Sequence, residues 1–461
     1  MYTKQKIKKC IIGALCFCLL SICVPVSVYG AETTNDRLNS KFRAGAYFHY
    51  SYKTNLDDIR FDKLDYIVYA FVEPYADGSF RPLENPDQLK DLIERAHTHG
   101  VKVFMGIGGG STAMDFDVMA SDKNSIIRFI KSTMGLFEDY DLDGIDIDWE
   151  SPLVGESAKN CESVMQQLSK ELKAKGKYFT VAVSGTYKAD QGIPSTNGFT
   201  DACLDCFDWI HVMTYSLQRT NSPLWFPDVS LQYWHNIRGI STDRLVIGVP
   251  FYALPSWKTY RDLIAEDPEY AYIDQVLGAD ETQESNYNGI NTIREKTKLG
   301  LQNGGGMFSW VINVDAAGEQ SLTALIYDTI KEAQAMGVSN FVNKPTVVYK
   351  NREIMYDANS GYPFIDAANR TMVPFRKSAE AVGMTVSYDA VNQVAKATGN
   401  GKTIQIPIGQ PSITVNGQTI ALDTQAVIYN NRTYIPMRAF FENAGCTIKQ
   451  WHNNTRTAYV E

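Results

Sequence analysis

Eight short apolar runs alternate with amphipathic helical stretches over most of this chain, and that rhythm limits the folds open to it more than any other feature. The runs lie at 44–50, 66–72, 101–107, 144–150, 179–184, 209–215, 245–251 and 306–312. Helical spacing of apolar residues marks 87–99, 124–140 and 161–175, and a last helix is expected over 321–336. Strands that alternate with helices pair in parallel and are covered by those helices. Eight such units predict an α/β fold, a closed (β/α)8 TIM barrel. A doubly wound open sheet usually needs fewer strands, and no dinucleotide fingerprint supports one.

The fourth run, Asp141 to Glu150, reads DLDGIDIDWE. Asp146, Asp148 and Glu150 recur at every second position, separated by Ile147 and Trp149, so on a strand the three acids share one face and the apolar residues, Ile145 included, the other. If helices cover the apolar face, the acids point into a closed interior, where crowded like charges keep a carboxyl protonated near neutral pH. In a barrel, catalytic groups stand at the carboxyl ends of the strands. Glu150 is then expected at the mouth, with Asp148 about 6–7 Å deeper and Asp146 below it. Asp143 has the opposite parity and reads equally well as a turn residue. A calcium loop would need a central glycine and a distal glutamate that this stretch lacks.

The first thirty residues differ from the rest. Lys4, Lys6, Lys8 and Lys9 precede an apolar run ending at Val28-Tyr29-Gly30, the pattern of a cleaved secretory signal peptide. A membrane anchor is the competing reading, and Pro25 with the small-residue exit weighs against it. A secreted or cell-surface protein with a Gram-positive-like leader is expected. The formal net charge is -8, and loss of the leader's four lysines makes the remainder more acidic, so no nucleic-acid partner is expected. Cys10, Cys16, Cys18 and Cys23 leave with the leader; Cys161, Cys203, Cys206 and Cys446 remain. Cys203 and Cys206 read as a local disulfide or two inert thiols, since no second pair or nearby histidine completes a metal site.

The Gly106-Ile107-Gly108-Gly109-Gly110 turn after the third strand lacks both the P-loop Lys-Ser/Thr and the G-x-G-x-x-G spacing. Its glycines are expected to let the backbone approach a bulky ligand. Past residue 338 the βα rhythm stops. There Asn369-Arg-Thr-Met-Val-Pro-Phe-Arg376 recurs at a constant offset as Asn431-Arg-Thr-Tyr-Ile-Pro-Met-Arg438, with Gly383 and Gly445 also matching. Strands over 403–408, 412–415 and 426–429, an Asn416-Gly417 hairpin turn and a Pro-started helix at 436–443 make this a second, smaller β-rich α+β domain. With His452 as its one histidine and no acidic cluster, it reads as an interaction or spacer domain. The expected division is a signal peptide at 1–30, a linker at 31–42, the barrel at 43–338, a second linker at 339–345 and the repeat domain at 346–461.

The string Asp143-Gly-Ile-Asp146-Ile-Asp148-Trp-Glu150 resembles the D-x-x-D-x-D-x-E signature of glycoside hydrolase family 18, the chitinase-like enzymes, and the strand order agrees with that family over about 43–337. Ile107-Gly108-Gly109 resembles the family's turn after the third strand, Met213-Thr214-Tyr215 its M-x-Y motif on the sixth, and Trp310 falls where its eighth-strand tryptophan floors the sugar site. The resemblance implies that Glu150 is the general acid, that Asp148 orients the substrate's 2-acetamido group, that Asp146 shares a proton with Asp148, and that Tyr215 hydrogen-bonds the acetamido carbonyl. It implies a retaining reaction in which the substrate supplies its own nucleophile, with no second carboxylate nucleophile and no cofactor or metal.

Rings that pack on pyranose faces are expected among Tyr47, Phe71, Tyr215, Tyr252 and Trp310, beside Met213, Gly108 and Gly109. Chitin or another N-acetylglucosamine-containing polysaccharide is the implied partner, with an N-glycan endo-β-N-acetylglucosaminidase, a peptidoglycan hydrolase and a non-catalytic chitin-binding lectin as alternatives. Two departures stand out. Ser216 replaces the acid that usually follows M-x-Y, and Ser151-Pro152 replaces the common Tyr-Pro. The connection between the seventh and eighth strands is also too short for a large insertion domain, so a shallow, open groove is expected. The repeat domain resembles the stalk, or copper amine oxidase amino-terminal-like, domain appended to many Gram-positive surface enzymes, and cell wall is its implied partner.

Overall fold

The computed structural model describes Leu38 and residues 42–150, 152–278 and 284–461; the expected leader lies outside the described residues. Eight strands close into a barrel: β1 (Arg43–His49), β2 (Tyr66–Val72), β3 (Lys102–Gly108), β4 (Gly144–Asp148), β5 (Tyr178–Ser184), β6 (Trp209–Met213), β7 (Leu245–Pro250) and β8 (Gly306–Trp310). Each pairs in parallel with the next, and β8 returns to β1 with Phe308 opposite Gly45. The expected TIM barrel is thus present, with most strand ends shifted by a residue or two.

Helices cover the outer face. Ile145, Ile147 and Trp149 of the β4 stretch have no exposed surface, and Trp149 stacks on Phe116 at 4.8 Å and 8°. Phe116 belongs to a helix that sequence periodicity missed. Between β3 and β4 the chain forms Ala113–Ser121 and then Lys123–Asp139, with the Asp122 carboxylate capping the second by accepting from the Ser125 amide at 2.8 Å. The first helix escaped because its apolar residues Met114, Phe116, Val118 and Met119 do not follow one stripe. Beneath the acid row, stacked rings of Tyr66, Phe104 and Tyr178 fill the lumen, and Arg43 lies over Trp209 at 4.8 Å. The barrel is a packed core with a closed base. The β7–β8 connection holds a three-stranded antiparallel sheet of Leu254–Pro255, Glu284–Asn286 and Gln275–Leu277.

Cys203 and Cys206 are free thiols in the described residues, which excludes the local disulfide. Cys203 Sγ lies instead 3.8 Å from Cys161 Sγ, on the helix Glu156–Ala174.

The segment expected to link the two domains is largely helical. Val338–Asn343 forms a short helix whose Phe341 and Val342 pack into the barrel's own core. The β-rich region beyond has a separate core built on Val373, Phe375, Ile435, Phe440 and Phe441. Its internal repeat has a direct structural form. Strand Thr371–Pro374 pairs antiparallel with Arg432–Pro436 so that Val373 faces Ile435, its own counterpart, while Met372 faces Pro436 and Pro374 faces Tyr434. The two copies are related by a local two-fold axis through that pair.

The β-rich region docks on the helix Ile290–Asn303, which precedes β8. Glu295 on that helix is buried and accepts hydrogen bonds from His452 Nδ1 at 2.8 Å, from the Tyr459 hydroxyl at 2.6 Å and from the Thr455 hydroxyl. Arg294 pairs with Glu353 at 2.8 Å alongside. His452 therefore serves as an anchor between the two parts of the chain.

Candidate active site

Strand β4 ends at Asp148, two residues short of the expected end, so Glu150 stands in the loop just beyond it. Asp146 is fully buried and Asp148 is 4% exposed, whereas Glu150 is partly open at the mouth. The three acids nevertheless line up as their alternation requires. Asp146 accepts the Tyr47 hydroxyl on Oδ2 at 2.6 Å, and the Thr180 hydroxyl and His211 Nδ1 on Oδ1, the latter at 3.0 Å. Asp148 is different. Its buried Oδ1 has no hydrogen-bond partner, an expensive state unless a ligand completes it. Among the described residues no hydrogen bond joins Asp148 to Asp146.

Burial pushes the Asp148 carboxyl well above its usual range, and the neighbouring Glu150 and Asp146 charges push it further. Burial likewise raises Glu150. The pair is thus arranged to keep a proton that a solvated carboxyl would lose. Burial, then Tyr252 and the three carboxylates, hold the Tyr215 hydroxyl well above its ordinary value, so it remains a hydrogen-bond donor.

Trp310 closes β8 and stacks on Phe71 at 5.7 Å and 23°, with Tyr47 at 5.4 Å and His49 at 5.8 Å. Both Trp310 and Phe71 are partly exposed, which leaves ring surface facing the cleft. Tyr47 does not fit the expected sugar-stacking role. It is 2% exposed and its hydroxyl is committed to Asp146. Tyr252 is also largely covered: its ring stacks on Trp257 at 5.5 Å and 5°, and its hydroxyl meets Ser216 Oγ at 2.6 Å. Trp257, 70% exposed, presents the free face in its place. Met213 ends β6, half-buried, with Tyr215 just beyond it against Gly248, where a Cβ would strike the Tyr215 ring.

The glycine turn is also required by packing within the barrel. A Cβ on Gly108, at φ +128°, would lie 2.2 Å from the Asp148 carbonyl oxygen, and one on Gly109 would press on Phe71. One on Gly110 would reach within 3.2 Å of Glu150 Oε1. These positions let β3 close on the acid-bearing strand and on Phe71, with space left for the Glu150 carboxylate.

The family model for glycosyl hydrolases family 18 matches residues 43–460. The chain belongs to glycoside hydrolase family 18. Among curated relatives it is similar to Chitinase 1 of Aphanocladium album, 24% identical over 282 residues that make up 50% of this chain and 65% of that protein. It is also similar to probable chitinase 10 of Drosophila melanogaster, 26% identical over 42% of this chain but 10% of that one. The matched segments thus span less than two thirds of either relative. The fold is shared with the chitinase ChiB from the chitin utilization locus of Flavobacterium johnsoniae, at TM-score 0.54 and 21% identity over 64% of this chain and 95% of that one. It is shared equally with a chitinase-like agglutinin of Robinia pseudoacacia, at TM-score 0.53 and 20% identity over 62% of this chain and 99% of that one.

Within this family 18 barrel the site holds residues that motif matching passed over. His211 and Thr180 both contact Asp146, and His211 keeps the same phase on β6 as Met213 and Tyr215, so strand parity alone points it inward. Asp143 is scaffold: it accepts from His97 Nε2 at 2.8 Å, Lys102 Nζ at 2.7 Å and the Val103 amide at 2.9 Å. Ser216, in place of the usual acid, sits at φ +67° and ties its loop to Tyr252.

Proposed function

We propose that this protein hydrolyses β-1,4 bonds next to N-acetylglucosamine, in chitin or chito-oligosaccharides, by substrate-assisted retention. The observation that carries the reading is the buried, unpartnered Oδ1 of Asp148, set between Glu150 at the mouth and a fully anchored Asp146 below. An acetamido N–H would complete it. The Tyr215 hydroxyl would then hold the acetamido carbonyl, whose oxygen attacks the anomeric carbon as Glu150 gives its proton to the departing glycosidic oxygen. The C–O bond breaks, an oxazolinium forms, and water opens it while Glu150 recovers a proton. Because the attacking oxygen is tethered to the same sugar, no entropy is spent bringing it in.

A polymeric substrate is favoured by the face around the site. Tyr52, Tyr75, Tyr187, Trp225 and Trp257, all 39% or more exposed, sit on the segments that follow β1, β2, β5, β6 and β7 at the carboxyl end of the barrel. Such rings suit pyranose faces. The similarity to an agglutinin keeps a non-catalytic lectin as the second reading. Incubation with chitin, peptidoglycan and a glycoprotein side by side tests both. Release of N-acetylglucosamine oligomers from chitin is expected; binding without cleavage of any of the three would replace hydrolase with lectin. The leader and the repeat domain fit an exported enzyme whose stalk-like region holds it at a wall or polysaccharide.

A further inference from the structure

The internal repeat, which the catalytic reading leaves unused, builds two matched clefts. Across the two-fold axis through Val373 and Ile435, the Asn-Arg-Thr turn of each copy lies against the Pro-started helix of the other. One cleft sets Asn431, Arg432 and Thr433 opposite Arg376, Lys377 and Glu380. Its twin sets Asn369, Arg370 and Thr371 opposite Arg438, Ala439 and Glu442, every residue the repeat counterpart of one in the first. The walls have diverged. Asn359, Ser360 and Lys377 of the first cleft stand where the second has Ala421, Leu422 and Ala439. In the second, Arg370 pairs with Asp423 at 2.7 Å and Arg438 with Glu442 at 3.1 Å, so both guanidinium groups are neutralised. In the first copy Gly361 occupies the place of Asp423. There the side chains of Arg376 and Lys377 make no hydrogen bond or ion pair among the described residues, although Glu380 stands one turn along the helix from Arg376.

Arg432 donates to the carbonyls of Ala358 and Asn359 at 2.7 and 2.8 Å, which fixes the wall that carries Asn359 and Ser360. Tyr388, 44% exposed, and Ile428, 50% exposed, close the rim around a space of about 350 Å³, within the range of small-ligand sites. Beyond residue 345 basic side chains outnumber acidic ones in a chain whose formal net charge is -8, so this region is where an anion meets least repulsion. We propose that the first cleft binds an acidic oligosaccharide. Its carboxylate or phosphate sits on Arg376 and Lys377, a pyranose face on the Tyr388 ring, and sugar hydroxyls on the Asn359 and Asn431 amides. A guanidinium and an ammonium without internal partners are free to form charge-assisted hydrogen bonds to such a ligand. The second cleft keeps the scaffold with its charges closed off. The proposal rests on the reading of the stalk-like region as the part that holds a polysaccharide, and is independent of hydrolysis at Glu150.

Isothermal titration of the full chain tests this with three probes: galacturonic acid oligomers for carboxylate, a phosphomannan fragment for phosphate, and the same mannan without phosphate as the uncharged control. Binding of at least one acidic probe, weakened by added salt, is expected, with the uncharged mannan bound far less tightly. The double variant Arg376→Gln, Lys377→Gln is expected to lose about 10- to 100-fold in affinity, the effect of deleting hydrogen bonds to a charged group. Arg438→Gln, in the twin cleft, is expected to bind as wild type does. No binding of either acidic probe, equal affinity for the uncharged mannan, or an equal loss in Arg438→Gln would each overturn the proposal. Retention of the protein on insoluble wall or chitin without affinity for either acidic probe would overturn this site while leaving the holding role intact, and hydrolysis of chitin is read separately from both.

Discussion

The Tyr47 hydroxyl on β1 donates to Oδ2 of Asp146 on β4 at 2.6 Å, joining two strands that are not neighbours in the barrel. The Tyr47 ring also packs against Phe71, Phe308 and Trp310. Tyr47→Phe keeps that packing and removes only the donor. The expected outcome is a loss of about 1–3 kcal/mol in stability, from the unpaired Asp146 oxygen, together with a roughly tenfold fall in kcat. Calorimetry and steady-state kinetics on a soluble chito-oligosaccharide check it, and full activity would show that Asp146 needs no anchoring from β1.

In the proposed reaction Glu150 can act as an acid only while it holds its proton. Burial raises its carboxyl above the ordinary 4.5, so kcat/KM is expected to fall as pH rises through that elevated value and to hold below it. A pH profile locates the alkaline limb, which should lie above 4.5. Glu150→Gln should cost about 10²- to 10⁴-fold in turnover, the range general acid catalysis supplies, with an unchanged melting temperature.

Trp310 presents a ring backed by Phe71 at 5.7 Å, a rigid platform rather than a loose side chain. Trp310→Ala is expected to weaken oligosaccharide binding by about 1–3 kcal/mol, through loss of a stacking surface of this size. Isothermal titration in the Glu150→Gln background measures this without turnover. Unchanged affinity would place the sugar elsewhere on the barrel face.

His452 gains a carboxylate partner on folding, and the hydrogen bond it donates to Glu295 raises it above its ordinary 6.5. A raised histidine contributes stability that is fully present below about 6.5 and is lost as pH rises through the folded value. The melting temperature of wild type should therefore exceed that of His452→Gln by more on the acid side of 6.5 than on the alkaline side. The difference between the two proteins is the quantity to follow, because the buried Lys296, pushed down to about 7, acts with the opposite slope in both. A constant difference across the range would assign His452 a packing role alone.

All eight barrel strands were legible in the sequence because each is an apolar run long enough to be buried on both faces, and the acid alternation of β4 declared its own orientation. What escaped was set by contacts distant in sequence. Tyr47 reads as a sugar-stacking ring until Asp146 is known to stand opposite its hydroxyl. That Gly108 must also leave room for the Asp148 carbonyl is visible only once β3 and β4 are placed side by side. Glu295 looks like an ordinary helix-surface acid, because the three donors that bury it come from the far end of the chain.

The Val373–Ile435 pairing carries a consequence for how the repeat region can be cut. Each half supplies one strand of the central ladder, and among the described residues the inner edge of that strand is complemented by the same strand from the other half. It is a homodimer written into a single polypeptide. A chain stopped between the halves would bare that edge, and the nearest match for it would be another molecule broken in the same way, so such fragments should pair or aggregate through it.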